Sequence, residues 1–146
     1  MAVNYWAVLV CGVLSMVIGA VWYGPLFGKK WMEIVGATNQ DLETRKKMQK
    51  AAGPLYFVQF ILTLFQVLLL STFITWMYKN DPTAVLDTGH IFMALSLWVA
   101  FVVPTLAGAC MWTNDSSKIK WARFLIQSGY QLVCFIIFGF VLGMWR

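Results

Sequence analysis

Long stretches without charged residues alternate with short charged segments along the whole chain. The four stretches that contain no Asp, Glu, Lys or Arg cover residues 1–28, 51–78, 88–114 and 124–145. A helix rises about 1.5 Å per residue, so about 20 apolar residues cross the hydrocarbon layer of a membrane. Each stretch is long enough, and the pattern predicts membrane-spanning helices at 5–23, 54–77, 89–111 and 122–145.

These runs predict an all-α integral membrane bundle of four transmembrane helices, forming one domain over residues 1–146. Membrane β-barrels are excluded, because their strands are short segments of alternating polarity rather than continuous apolar runs. Composition agrees, since 60% of the residues are hydrophobic and 12% are charged, with a mean hydropathy of +0.71. Soluble domains carry about 25% charged residues, so this composition excludes a soluble globular protein or a nucleic-acid-binding domain.

The first apolar run is predicted to remain in the protein as a span rather than to act as a signal peptide. Residues 1–5 contain no Lys or Arg, and the run ends in Trp22-Tyr23, where a signal peptidase needs small residues.

The first loop, residues 24–53, is predicted to be cytoplasmic and to contain a short helix. Thr38-x-x-Asp41 resembles a capping box ahead of helix-forming residues up to Lys50. Pro54 is expected in the first turn of the second span, where a missing N–H costs no hydrogen bond. The apolar residues around Lys29 and Lys30 are compatible with a segment lying among lipid headgroups or with a simple surface loop.

Basic residues predict the orientation of the bundle. Nine lie in or beside the first and third loops and two lie at the other end, and short loops rich in Lys and Arg stay in the cytoplasm. Both termini should therefore lie outside, with loops 24–53 and 112–121 on the cytoplasmic side of the inner membrane. The net charge of +5 then faces anionic lipids and needs no nucleic acid to explain it.

Residues typical of catalytic and metal sites are scarce in the spans, and we expect neither an enzyme nor a cofactor or metal site. Apart from Arg123 at the start of the fourth span, the spans contain no Asp, Glu, Lys or Arg, which usually mark proton relays and ion pathways. His90 is the only histidine, and Cys11, Cys110 and Cys134 lack the spacing of metal ligands.

Neutral polar residues lie at similar depths in the cytoplasmic half of the spans and form a predicted polar layer. Amides facing lipid are costly, so these residues should point into the bundle and bond each other, as Gln59 of the second span would bond Gln127 of the fourth. They could be dry contacts between helices, or they could line a polar cavity beside Pro104. The layer consists of Ser15, Gln59, Thr63, Thr105, Gln127 and Gln131.

Small residues recur at every fourth position in three spans, which favours close helix packing. These seams leave a homodimer plausible. They are Cys11-Ser15-Gly19, Ser96-Ala100-Pro104-Gly108 and Gly139-Gly143.

The segment Trp22-Tyr23-Gly24-Pro25-Leu26-Phe27-Gly28-Lys29-x-Trp31, directly after the first span, resembles a motif of a known family. The chain is similar to the small bacterial membrane proteins of domain of unknown function 1761. Pro104-Thr105 and the stretch from Gly129 through Gly139 to Trp145 also fit that family. The resemblance implies a four-helix multi-pass protein and implies no activity.

The sequence thus predicts a structural or interaction component that acts through membrane lipids, another membrane protein or a second copy of itself. The alternative is a carrier or channel for a small neutral molecule that uses the polar layer. The predicted docking patch at the cytoplasmic interface comprises Trp22, Tyr23, Pro25, Phe27, Lys29, Lys30 and Trp31.

Overall fold

The computed structural model describes residues 3–81 and 88–145, and these residues fold into helices. Within these residues, four helices are long and apolar enough to cross a membrane: Tyr5–Leu26, Leu42–Asn80, Gly89–Met111 and Ser117–Met144. This confirms the predicted all-α membrane bundle. The elements in chain order are α1 (Tyr5–Val21), a π-helical turn π1 (Trp22–Leu26), α2 (Gly28–Ile34), α3 (Leu42–Asn80), α4 (Gly89–Leu97), a second π-helical turn π2 (Trp98–Val102), α5 (Val103–Met111) and α6 (Ser117–Met144).

Helix α6 is the centre of the bundle and packs against α1, α4 and α5. Helix α3 packs mainly against α1. The side chain of Asn4 caps α1 by accepting from the N–H groups of Trp6 and Ala7, and its amide donates to the carbonyl of Trp145 at 3.3 Å. The start of α1 therefore lies beside the end of α6, and the two helices run antiparallel.

Two of the three small-residue seams are used inside the bundle. Cys11 and Ser15 are buried in α1. A Cβ placed on Gly139 would lie 3.2 Å from the carbonyl oxygen of His90 and 3.1 Å from the Cβ of Ala94, so α4 and α6 approach closely there. The third-span seam differs, because Ser96, Ala100 and Pro104 are all exposed.

The prediction that Pro54 lies in the first turn of the second long helix is wrong. Helix α3 runs without interruption from Leu42 to Asn80 and contains Pro54 in its interior. The N-cap is Asp41, whose carboxylate accepts from the N–H of Thr44, while Thr38 lies outside the helix and its carbonyl accepts from Arg45. The predicted loop helix and the second span are therefore one element, since residues 42–50 favour helix and the helix continues through Pro54 despite the missing N–H.

Candidate functional site

The predicted docking motif begins at π1, where a proline widens the last turn of the first span. Pro25 has no N–H, and the chain compensates with a longer bond in which the N–H of Phe27 donates to the carbonyl of Trp22 at 2.9 Å. A Cβ on Gly28 would lie 2.9 Å from the carbonyl oxygen of Tyr23, so only glycine fits the turn that follows. The sequence Gly-Pro-x-x-Gly thus redirects the chain into α2.

The side chain of Trp22 joins π1 to the first half of α6. Its indole N–H donates to the carbonyl of Ile126 at 3.0 Å. Gly129 lies one turn further along α6, where a Cβ would come within 3.0 Å of the Trp22 ring. The ring of Phe27 packs on the same indole with a centroid distance of 4.8 Å. Trp22 is therefore held by a directional bond as well as by contact.

Tyr23 extends these contacts into an aromatic cluster, which we define as Trp22, Tyr23, Phe27, Trp31 and Tyr130. The Tyr23 ring lies 4.9 Å from the ring of Trp31 in α2 and 5.5 Å from that of Tyr130 in α6. The hydroxyl of Tyr130 donates to the carbonyl of Ser15 at 3.0 Å. The cluster therefore connects α1, α2 and α6 at one level of the bundle.

A second tryptophan bonds to α6 from π2. The indole N–H of Trp98 donates to the carbonyl of Ser128 at 3.2 Å. In π2 the N–H of Val103 donates to the carbonyl of Trp98, one residue further than in an α-helix, directly before Pro104. Ile126 and Ser128 are two residues apart, a rotation of about 200° around a helix. The two indoles therefore approach α6 from nearly opposite sides.

Comparison with known families identifies the chain. The model of a protein family of unknown function, DUF1761, matches residues 6–143. The chain belongs to the DUF1761 family. Comparisons with curated proteins and with solved structures return no match.

The docking patch predicted for this DUF1761 protein divides into two parts. Trp22, Tyr23 and Trp31 are half-buried in the aromatic cluster. Pro25, Phe27 and Lys29 are exposed, and Lys30 is half-buried and pairs with Glu33 at 2.7 Å. This bond to Lys30 holds the pKa of the Glu33 carboxyl below its usual range. Most of the aromatic surface of the patch is thus used to fix α2 against α6.

The predicted polar layer is not one connected network. Gln59 is exposed and donates to Thr63 on its own helix at 3.4 Å, and the buried Thr63 hydroxyl donates to the carbonyl of Gln59. The side-chain oxygen of Gln127 lies 3.9 Å from the thiol of Cys110 as its acceptor. The bond expected between Gln59 and Gln127 is therefore replaced by two separate contacts.

The other members of the layer are divided between the inside and the outside of the bundle. Ser15 is buried and donates to the carbonyl of Gly12 at 2.7 Å, and Gln131 is half-buried. Thr105 is exposed, with its hydroxyl donating to the carbonyl of Phe101 one turn earlier. That carbonyl lies in π2, and a hydroxyl bonded in this way is typical of places where a helix bends.

In this DUF1761 protein, Arg123 connects the first loop, residues 24–53, to the third loop, residues 112–121. Its guanidinium pairs with Asp115 at 2.8 Å and donates to the carbonyl of Ile34 at 3.4 Å. Within residues 3–81 and 88–145 there is no group of three or more His, Cys, Asp or Glu that could hold a metal ion.

Sequence reasoning missed Trp98 and Tyr130 as members of the site. Both are aromatic residues with a polar atom, placed inside a charge-free stretch rather than at its ends. Such a donor must find an acceptor within the protein, because hydrocarbon offers none. That signal was present in the sequence, although the acceptors were not identifiable from it.

Proposed function

We propose that this protein is an interaction component of the inner membrane that binds another membrane-embedded protein through the first part of the apolar stretch in α3. The observation that carries the proposal is the exposure of five consecutive residues, Leu55–Gln59. Five consecutive helical residues cover every side of the helix, because each is rotated about 100° from the last. This part of α3 therefore has no covering neighbour on any side.

Gln59 favours a protein over lipid as the neighbour of this segment. It follows four exposed apolar residues and is itself exposed, with its amide donor engaged by Thr63. An amide surrounded by hydrocarbon still carries polar groups that lipid tails cannot satisfy, whereas a partner helix can. Binding of this kind requires no covalent chemistry, so the proposal describes a binding protein and not an enzyme.

The carrier or channel alternative has less support. Among the members of the polar layer, Ser15, Thr63 and Thr105 each donate to a carbonyl of their own helix. A path for a neutral molecule requires such groups to line a shared cavity. A crevice of about 100 Å³ among the described residues is instead lined by α5 and the beginning of α6. None of its lining residues belongs to the polar layer.

Site-specific photocrosslinking in intact membranes tests the binding surface. A photoreactive residue at Phe57 should give a discrete protein adduct, and Gln59→Leu should reduce its yield several-fold. Phe140, an exposed phenylalanine on α6, is the matched control and should crosslink to lipid. Equal protein adducts from both positions, or adducts from neither, would contradict the proposal. Two differently tagged copies of the chain show whether the partner is a second copy.

We also propose the orientation with both termini outside and with loops 24–53 and 112–121 in the cytoplasm. Lys47 and Asn80 are exposed residues towards opposite ends of α3. In thiol labelling of intact cells, Lys47→Cys should stay unlabelled and Asn80→Cys should react with an impermeant reagent. The native Cys11, Cys110 and Cys134 are buried, so unmodified protein is the background control. The reverse labelling pattern would overturn this orientation.

A further inference from the structure

A small crevice lies between the end of α5 and the beginning of α6, on the far side of α6 from π1. It has a volume of about 100 Å³. Its wall is mostly apolar, with one lysine and one serine from the first two turns of α6. The lining residues are Ala107, Cys110, Met111, Ser117, Lys120, Trp121 and Phe124.

Two exposed tryptophans at this crevice are typical of a position at the level of the lipid headgroups. Trp112 directly follows α5 and is 89% exposed, and Trp121 in the second turn of α6 is 59% exposed. The Trp121 ring packs edge-on against Phe124 with a centroid distance of 5.8 Å. Tryptophan concentrates at the membrane interface, where the ring contacts acyl chains and the N–H stays hydrated.

Lys120 is the cation available in the crevice. Its ammonium donates to the carbonyl of Met111 at 3.0 Å, which holds it at the end of α5 and leaves two further donors. Arg123 is engaged by Asp115 and by the carbonyl of Ile34. Lys118 is exposed and is not one of the residues that line the crevice. Lys120 is therefore already positioned, with donors left for an anion.

The size of the crevice limits what can occupy it. Pockets for whole small molecules measure about 300–1,000 Å³. A volume of about 100 Å³ holds a group equivalent to roughly three water molecules, which suits a phosphate but not a sugar or a nucleotide. Any larger ligand must leave most of its length outside, against the apolar side of α5 and α6.

Charge at this end of the bundle favours an anion. Nine basic and four acidic residues lie in or beside the loops at this end, whereas two basic and two acidic residues lie in or beside those at the other end. We propose that the crevice binds an anionic glycerophospholipid, with its phosphate at Lys120 and Ser117 and an acyl chain along Trp121 and Phe124. This site uses other helices than the proposed α3 surface and does not depend on it.

Native mass spectrometry of the purified full-length chain with added phosphatidylglycerol tests the proposal. The first lipid adduct should weaken about tenfold in Lys120→Gln, the effect of losing one charge-assisted hydrogen bond. Lys120→Arg should restore binding to within about twofold, and Lys118→Gln on the same helix is the matched control. Ala107→Leu keeps the charge, fills the crevice and should also weaken the adduct. Circular dichroism checks that each variant remains helical.

Two competing ligands distinguish a lipid site from a site for free phosphate or for any phospholipid. Phosphatidylcholine with the same acyl chains should bind more weakly, and excess inorganic phosphate should not displace phosphatidylglycerol. Equal losses in Lys118→Gln and Lys120→Gln would mean that diffuse surface charge binds the lipid, which would overturn the site. Full binding in Ala107→Leu, or displacement by inorganic phosphate, would overturn it as well.

Discussion

The two ends of α6 are held in the bundle by different physical means. In its first half, which we call the tryptophan end, the carbonyls of Ile126 and Ser128 accept hydrogen bonds from the indoles of Trp22 and Trp98. Near the other end, Gly139 and Gly143 bring α6 so close to α4 that a Cβ on Gly143 would overlap the His90 ring. The tryptophan end is thus held by directional hydrogen bonds. The end that contains Gly139 and Gly143, which we call the glycine end, is held by close contact.

The difference shows two ways in which a helix can be held against its neighbours inside a membrane. Lipid tails are as apolar as Leu, so helices gain from close packing and from polar bonds rather than from simple burial. A helix carbonyl that already accepts its backbone bond still has a second lone pair for an indole N–H. The glycine end therefore depends on the absence of side chains, and the tryptophan end on the presence of two donors.

The largest predicted effect is at the glycine end. Gly139→Val places atoms against the carbonyl of His90 and the Cα of Ile91, and backbone atoms cannot rotate away. Overpacking of this kind costs about 1–3 kcal/mol, and more if α4 separates from α6. Unfolding by SDS in mixed micelles measures the loss. Gly108→Val is the control, because nothing lies within 4 Å of a Cβ there. Equal losses from both variants would show that valine in a helix, not the α4 contact, is responsible.

Trp22→Phe is the second prediction, at the other end of α6. It removes the donor to Ile126 and part of the ring that contacts Gly129, and the free energy of unfolding should fall by about 1–2 kcal/mol. The same SDS unfolding measures it. Trp112→Phe controls for the change of ring, because Trp112 is largely exposed. An unchanged free energy in Trp22→Phe would mean that the indole bond contributes nothing to the bundle.

The two ends also differ in how far the sequence predicts them. The spacing of Gly139 and Gly143 indicates close packing, because a missing side chain is visible in the sequence itself. The prolines at 25 and 104 indicate interrupted helices, but they do not indicate that the turn widens by one residue. That outcome depends on the position of α6, which supplies the acceptors for both indoles.

The candidate site was predictable to a similar extent. The motif from Trp22 to Trp31 is recognisable as a unit, but its aromatic rings turn inward because Tyr130 and Gly129 receive them. The prediction of a hydrogen bond between the amides of Gln59 and Gln127 is wrong for a related reason. Depth along the chain places both amides at one level, but α3 packs mainly against α1 and its segment Leu55–Gln59 is exposed on every side.

Trp98→Phe should have a smaller effect than Trp22→Phe. Trp98→Phe removes the bond to Ser128, whereas Trp22→Phe removes the bond to Ile126 and also the ring atoms that contact Gly129. We expect a loss of about 0.5–1 kcal/mol in the same unfolding measurement. A loss larger than that of Trp22→Phe would reverse the order of the two bonds and make π2 the stronger attachment of α6.

The smallest predicted effect is the coupling between the two tryptophans. Their acceptors lie on nearly opposite sides of one continuous helix, and neither indole shares a hydrogen-bond acceptor with the other. Losses at sites without shared partners add to within about 0.5 kcal/mol, so the double variant should lose the sum of the single losses. A double-mutant cycle with Trp22→Phe and Trp98→Phe measures this difference. A coupling above about 1 kcal/mol would mean that α6 shifts when either bond is lost, so that the two bonds hold it jointly. In that case the tryptophan end, like the glycine end, would act as one cooperative contact, and the contrast between the two ends would lie only in the chemistry of the contact.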